Sequence, residues 1–170
     1  FAEAFEPCGF RSDAFYPCYG LAESTLLASG GTGPARLVTK RVRRSALAKH
    51  CVVDANGDPA GEVQRLVSCG QSLLDHETRI VDPGTEKPCP PNEVGEIWIS
   101  GPSVAQGYWG RSEETKAVFS ARLFGDSSRK YLRTGDWRNV LVDAPLGRRV
   151  KLHIRRFKSR LAHLARQLIG

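Results

Sequence analysis

Apolar and polar positions divide this chain into short segments of differing period. Phenylalanines at positions 1, 5, 10 and 15, crossed by Pro7 and Gly9, read as a helix end, a loop and the entry to a strand. Phe15-Tyr-Pro-Cys-Tyr19 suits a short extended stretch that stops at Gly20. Leu21 to Ser29 contains no breaker and is closed by Gly30-Gly31, which predicts a short helix beginning near Glu23. Leu37 to Val42 fits a strand, Ser45 to His50 one or two helical turns, and Cys51 to Val53 a short strand. Ala55-Asn-Gly-Asp58 is a turn signal.

From about residue 65 the pattern is β-rich. Arg65 to Ser68, Thr78 to Asp82 and Val94 to Ser100 fit strands, the second closed by Pro83-Gly84 and the third by Gly101-Pro102. Glu113 to Phe119 predicts a short helix entered at Ser112, and Lys130 to Arg133 a short strand ending in a Thr134-Gly135-Asp136 turn. Short, closely spaced strands with few helices predict a barrel-like or antiparallel β subdomain. From Val150 to Gly170, Ile154, Phe157, Leu161, Leu164 and Leu168 recur at steps of three and four among Arg and Lys. That spacing predicts a basic amphipathic helix.

Composition adjusts this picture at its two ends. With 170 residues, 41% hydrophobic and 25% charged, the chain can bury the core of one ordinary soluble domain. It begins at Phe1 and holds no methionine, which leads us to expect a fragment. No secretory signal pattern opens it, and no apolar run approaches the roughly 18 residues of a membrane-spanning helix, so a cytoplasmic protein is expected. The net charge of +7 is unevenly spread. Residues 1–137 carry 16 Lys and Arg against 17 Asp and Glu, whereas residues 138–170 carry 9 against 1. The expected division is therefore 1–136 and a divergent basic tail, 137–170, helical from about 150. The five cysteines form no C-x-x-C pair and do not cluster with the four histidines, which argues against zinc; buried reduced thiols are expected.

Candidate chemistry rests on two strings about a hundred residues apart. Tyr19-Gly20-Leu21-Ala22-Glu23 comes first and Tyr131-Leu-Arg-Thr134-Gly135-Asp136 second, with Gly95 to Trp109 (GEIWISGPSVAQGYW) between them. Tyr19 offers a ring face to a flat base. Gly20 allows close backbone approach. Glu23 offers a hard carboxylate oxygen to Mg²⁺, which takes only one or two protein carboxylates. Asp136 can accept hydrogen bonds from both hydroxyls of a ribose. Each string taken singly has a plain structural reading: Glu23 as a residue favouring a helix N-terminus, Thr134 to Asp136 as an ordinary turn.

Together the strings resemble the acyl-adenylating family of acyl-CoA synthetases, peptide-synthetase adenylation domains and luciferases. Phe15-Tyr-Pro-Cys-Tyr-Gly-Leu-Ala-Glu-Ser-Thr-Leu-Leu27, with Ala22 where the wider family usually has Thr, is most similar to the fatty acyl-AMP ligases. Val67-Ser-Cys-Gly70 and Gly95 to Trp109 share that likeness, which covers residues 1 to about 136. The resemblance implies an α+β fragment of the adenylate-forming large domain: the last strands and helix of an α/β subdomain, then a β-barrel-like subdomain, with an atypical basic C-terminal helix. It implies ATP and Mg²⁺ as cofactors. Tyr19 would stack on adenine, Asp136 would hold the ribose, Glu23 would serve Mg²⁺, and Gly20 and Leu21 would line the nucleotide and acyl pocket floor. The substrate would be a fatty acid, and the acyl-adenylate would pass to an acyl carrier protein or polyketide synthase. The long stretch from about Arg36 to Leu66 matches a region where these ligases carry an insertion thought to hinder coenzyme A use.

The family's Ser/Thr/Gly-rich phosphate loop has no counterpart in these residues. Trp137 to Gly147 does not match its continuation, and neither Lys151 nor Lys158 stands in the context of its catalytic lysine. The catalytic set is thus incomplete, and the chain alone is expected to be inactive. Two accounts fit the basic tail: out-of-frame sequence, or a selected helix for an anionic membrane or nucleic acid. The second would make the chain a non-catalytic binding module; under the first, no nucleic-acid partner is expected.

Overall fold

A computed structural model describes residues 1–31, 37–72, 75–142 and 149–153; for 138–142 and 149–153 the description is of strand pairing alone. In chain order the elements are α1 (Ala2–Phe5), β1 (Ser29–Gly30), β2 (Thr39–Arg43), α2 (Arg44–Leu47), β3 (Val63–Ser68) and β4 (Gln71–Ser72). β5 (Glu77–Asp82), β6 (Lys87–Pro88), β7 (Gly95–Ser100), α3 (Ser112–Phe119), β8 (Ala121–Leu123), β9 (Asp126–Val142) and β10 (Arg149–His153) follow. The main sheet has eight strands in the order β2-β3-β10-β9-β7-β5-β6, with β8 paired to β9, and its pairings are antiparallel. The chain is an α+β unit dominated by this sheet.

β7, an interior strand between β9 and β5, buries apolar side chains on both of its faces. Ile97 and Ile99 point to one side and pack with Tyr19, Ala28, Cys69 and Ile80. Trp98 points to the other and packs with Val81, Leu123 and Tyr131. All three β7 side chains are fully buried, and each contributes about 1.5–3 kcal/mol through burial on the scale of large apolar side chains. The 36–66 stretch, where it is described, contributes β2 and the start of β3 to the sheet, with α2 and a loop between them. β2 and β3 pair along five residues of β2, and Val42, Val52, Leu66 and Val94 form a third cluster against Leu47 and Trp137. Lys40 reaches Asp54 at 2.8 Å and Arg43 reaches Asp58 at 2.8 Å, closing the excursion between the two strands.

Several sequence expectations need correction. Residues 21–29 are not a helix. One 3-10 turn, Ala22–Ser24, is followed by Thr25 at φ 49° and Leu26 at φ 80°, and the chain doubles back so that Tyr19 pairs with Ser29. The absence of a breaker carried little weight against burial of Ser24, Ala28 and Ser29 in this fold-back. Gly20 is required by it: a Cβ there would sit 1.3 Å from the Leu26 carbonyl oxygen. Cys51 to Val53 makes only an isolated bridge, Cys51 to Glu93, rather than a strand.

Thr134-Gly135-Asp136 is not a turn after a short strand. It lies inside β9, a strand of 17 residues, where the register against β7 jumps from Glu96↔Trp137 to Trp98↔Arg133. Gly135, at φ 71°, sits in the resulting bulge. Backbone pairing also crosses the compositional break, since β9 runs on to Val142. The predicted helix from about 150 instead begins with strand β10, between β3 and β9 in the sheet. Ile154, Phe157, Leu161, Leu164 and Leu168 lie outside the described residues.

The cysteines are not uniformly buried either. Cys8, Cys18 and Cys51 are exposed, Cys89 is half-buried and Cys69 is buried. Burial, with Glu93 and Asp82 nearby, pushes the Cys89 thiol up to about 11. Titration of the native chain with a disulfide reagent near pH 8 will therefore modify three thiols quickly, Cys89 slowly and Cys69 only on unfolding. Reaction of Cys69 as fast as Cys8 would contradict this packing.

Candidate functional site

The fold-back after Tyr19 and the bulge in β9 meet. The Tyr19 hydroxyl donates to Asp136 Oδ2 at 2.9 Å, joining positions 117 residues apart. Tyr19 is only 7% exposed, held in the core cluster beneath Ala28 and Ile99. Leu21 packs partly against the same cluster. What approaches Gly20 closely is the Leu26 carbonyl.

The bulge carrying Asp136 is tied to β7 through Thr134 and Gly135. Asp136 N–H donates to Thr134 Oγ1 at 3.1 Å, and Thr134 Oγ1–H donates to the Ile97 carbonyl at 2.9 Å. Gly135 N–H donates to Glu96 Oε1 at 3.0 Å. Glu96 Oε2 accepts from Arg133 Nε at 3.1 Å, Arg133 Nη2 at 2.9 Å and Trp98 Nε1 at 3.1 Å. The Glu96 side chain is buried, and the Arg133 guanidinium also lies 5.5 Å from the Trp98 ring. A buried carboxylate is tolerable only when paired and hydrogen-bonded in this way.

Glu23 stands in the 3-10 turn on the other limb of the fold-back. Tyr108 OH donates to Glu23 Oε1 at 2.7 Å, and Ala105 N–H donates to the Glu23 carbonyl at 2.8 Å. Ser24 Oγ lies 3.1 Å from Ser103 Oγ, Thr25 Oγ1 donates to the Ser103 carbonyl at 2.7 Å, and His76 Nε2 meets Ser103 Oγ. The loop after β7 thus clamps the turn that presents Glu23. Burial, and after it the Glu23 carboxylate, pushes the Tyr108 phenol up to about 12, so it remains a donor at neutral pH.

Among the described residues no hydrogen bond or ion pair reaches the second oxygen of Glu23, and no group of three or more His, Cys, Asp or Glu could enclose a metal. One half-exposed carboxylate oxygen fits Mg²⁺, which keeps most of its waters and shares phosphate oxygens. Asp136 likewise has acceptor capacity beyond its bond from Tyr19. A separate concavity of about 960 Å³, lined among others by Phe10, Arg11, Asp13 and Phe15, includes none of these residues.

Sequence reasoning assigned no role to Glu96, Ser103 or Tyr108, though all lie in the Gly95 to Trp109 string. The one available signal was an acidic residue inside the apolar run Gly95–Ser100.

The model of a family described as AMP-binding enzyme matches residues 1–109, well over half of the chain. The chain belongs to the AMP-binding enzyme family. Within that family it is similar to a medium-chain fatty acid–acyl-carrier-protein ligase of Moorena producens, at 43% identity over 137 residues, covering 80% of this chain and 23% of that one. It is also similar to a 4-hydroxyphenylalkanoate adenylyltransferase of Mycobacterium marinum, at 38% identity, covering 80% of this chain and 22% of that protein. Among solved structures it superposes on a fatty acyl-adenylate ligase from L. pneumophila, determined in complex with acyl adenylate and pyrophosphate. The TM-score is 0.77 and the identity 40%, covering 88% of this chain and 25% of the ligase. This AMP-binding chain therefore spans about a quarter of the length of these relatives.

Proposed function

We propose that the chain forms one wall of the active site of a fatty acyl-AMP ligase. The observation that carries this reading is the 2.9 Å hydrogen bond from Tyr19 to Asp136, which unites the two strings at one point. In the reaction, a fatty acid carboxylate oxygen attacks the α-phosphorus of ATP. The bond from that phosphorus to the bridging oxygen breaks, leaving acyl-AMP and pyrophosphate. The enzyme supplies no nucleophile; it orients the reactants and stabilises charge.

Asp136 accepts hydrogen bonds from the ribose hydroxyls while Tyr19 holds the carboxylate in place and borders the adenine. Gly20 and Leu21 form the floor on which base and acyl chain meet. Glu23, with one oxygen engaged by Tyr108, would hold Mg²⁺ through the other. When bound, that ion supplies positive charge to the phosphate oxygens. The relatives named as fatty acid ligases support a fatty acid substrate, and the one named for an acyl carrier protein supports such a carrier as acceptor. By the family resemblance, the 36–66 stretch would disfavour coenzyme A as the alternative acceptor. Consumption of ATP goes with a cytoplasmic setting, and no helix among the described residues is long and apolar enough to cross a membrane.

The test is a graft. Residues 1–137 replace the matching segment of the L. pneumophila ligase, and exchange of pyrophosphate into ATP is measured with fatty, aryl and amino acids. Fatty-acid-dependent exchange is expected. Asp136→Ala in the graft should lower it by about 10²–10⁴, the worth of two hydrogen bonds to a charged acceptor. A folded graft that exchanges only with amino acids, or whose exchange is indifferent to Asp136→Ala, would refute the proposal.

A further inference from the structure

We propose that Glu96 is a positioning residue for nucleotide binding, holding the Asp136 carboxylate at the ribose through the backbone of the β9 bulge. This rests on Asp136 being the ribose acceptor, as proposed above.

Three observations lead here. First, a bulge leaves backbone groups without their ladder partners, and Gly135 finds its acceptor in a side chain, Glu96 Oε1 at 3.0 Å. Second, the Glu96 carboxylate cannot turn freely. Three donors from Arg133 and Trp98 converge on Oε2, which leaves Oε1 aimed at Gly135. Third, the bulge is attached to β7 at the very next residue as well, through Thr134 Oγ1 and the Ile97 carbonyl. Asp136 is thus fixed from behind by β7 and at its head by the Tyr19 hydroxyl. A buried ion pair is a weak device for net stability compared with apolar packing, and its best-attested use is fixing register. At this site the register it fixes is that of the ribose-binding residue.

Glu96→Gln separates this role from bulk. The amide has one oxygen for four donors. If that oxygen serves Arg133 and Trp98, the NH₂ faces the Gly135 N–H and the bulge loses its anchor. If it serves Gly135, the NH₂ opposes the guanidinium.

The readout is the ratio of affinities of the full 170-residue chain for AMP and 2′,3′-dideoxy-AMP, measured by ligand-observed NMR. A loss of fold alone would weaken both ligands together. The wild-type chain is expected to prefer AMP by about a hundredfold or more, as two hydroxyl–carboxylate hydrogen bonds would give. Asp136→Ala should bring the ratio to one, and Glu96→Gln should bring it close to one with far-UV circular dichroism unchanged. Trp98→Phe, which removes one donor to Oε2 and leaves the Gly135 bond, should keep the preference. If Asp136→Ala retains the wild-type ratio, or the wild type has no preference, the nucleotide reading itself falls. If Asp136→Ala loses the preference and Glu96→Gln keeps it, the positioning role alone falls. Should Glu96→Gln unfold, hydrogen exchange in the wild-type chain decides: the Gly135 amide is expected to be protected at least a hundredfold, and exchange at the rate of an open loop overturns the proposal.

Discussion

Purified by itself, the 170-residue chain will give no fatty-acid-dependent exchange of pyrophosphate into ATP. A reaction with no enzyme nucleophile depends on positioning and on charges aimed at the transferred group. Removing a single preorganised donor of that kind costs about 10²–10³ in rate. The chain carries the residues proposed for the ribose, the base and one metal contact, Asp136, Tyr19 and Glu23, and it spans 25% of the L. pneumophila ligase that it resembles. The Ser/Thr/Gly-rich phosphate loop and the distant lysine that the family resemblance calls for have no match among these residues. Several such contributions missing together put the rate below background. Exchange with decanoate that disappears on Asp136→Ala would show that these residues suffice, and would contradict this expectation.

Glu96→Ala will destabilise the fold by about 2–4 kcal/mol, less than for a fully buried ion pair because the Arg133 side chain stays 24% exposed. Arg133 then keeps its charge against Trp98 with no carboxylate, and Gly135 N–H and Trp98 Nε1 lose their acceptor. Set against the roughly 5–15 kcal/mol that ordinary domains have in total, the change leaves little margin. Urea denaturation followed by tryptophan fluorescence measures it, because Trp98 is fully buried at the pair. The double variant Glu96→Leu with Arg133→Met should recover only the part due to the stranded Arg133 charge, since Gly135 N–H and Trp98 Nε1 still lack their acceptor. A shift below about 0.5 kcal/mol for Glu96→Ala, the range of ordinary surface substitutions, would show that the network contributes nothing.

What was legible in the sequence follows from the range of the interactions. β5, β7 and α3 were read closely because alternation and helical entry signals are local: Thr78 to Asp82, Val94 to Ser100, and Glu113 to Phe119 entered at Ser112. The 21–29 segment misled because its conformation is set by burial of Ser24, Ala28 and Ser29 against distant strands. Thr134-Gly135-Asp136 carries the same residues whether it ends a strand or bulges within one, and only the register against β7 distinguishes the two. Tyr19, Glu23 and Asp136 were found as members of recognisable strings. Tyr108 and Glu96 were not, since their partners stand 85 and 39 residues away in the chain, at Glu23 and Gly135. No local spacing encodes such a pairing.

The most direct measurement of the nucleotide site is a titration of the isotopically labelled 170-residue chain with AMP and Mg²⁺, followed through backbone amide resonances. Shifts concentrated at Tyr19 to Glu23 and at Thr134 to Asp136, and lost in Asp136→Ala, are the predicted result. Shifts confined to the concavity around Phe10, Arg11 and Asp13, or none at millimolar AMP, would contradict it.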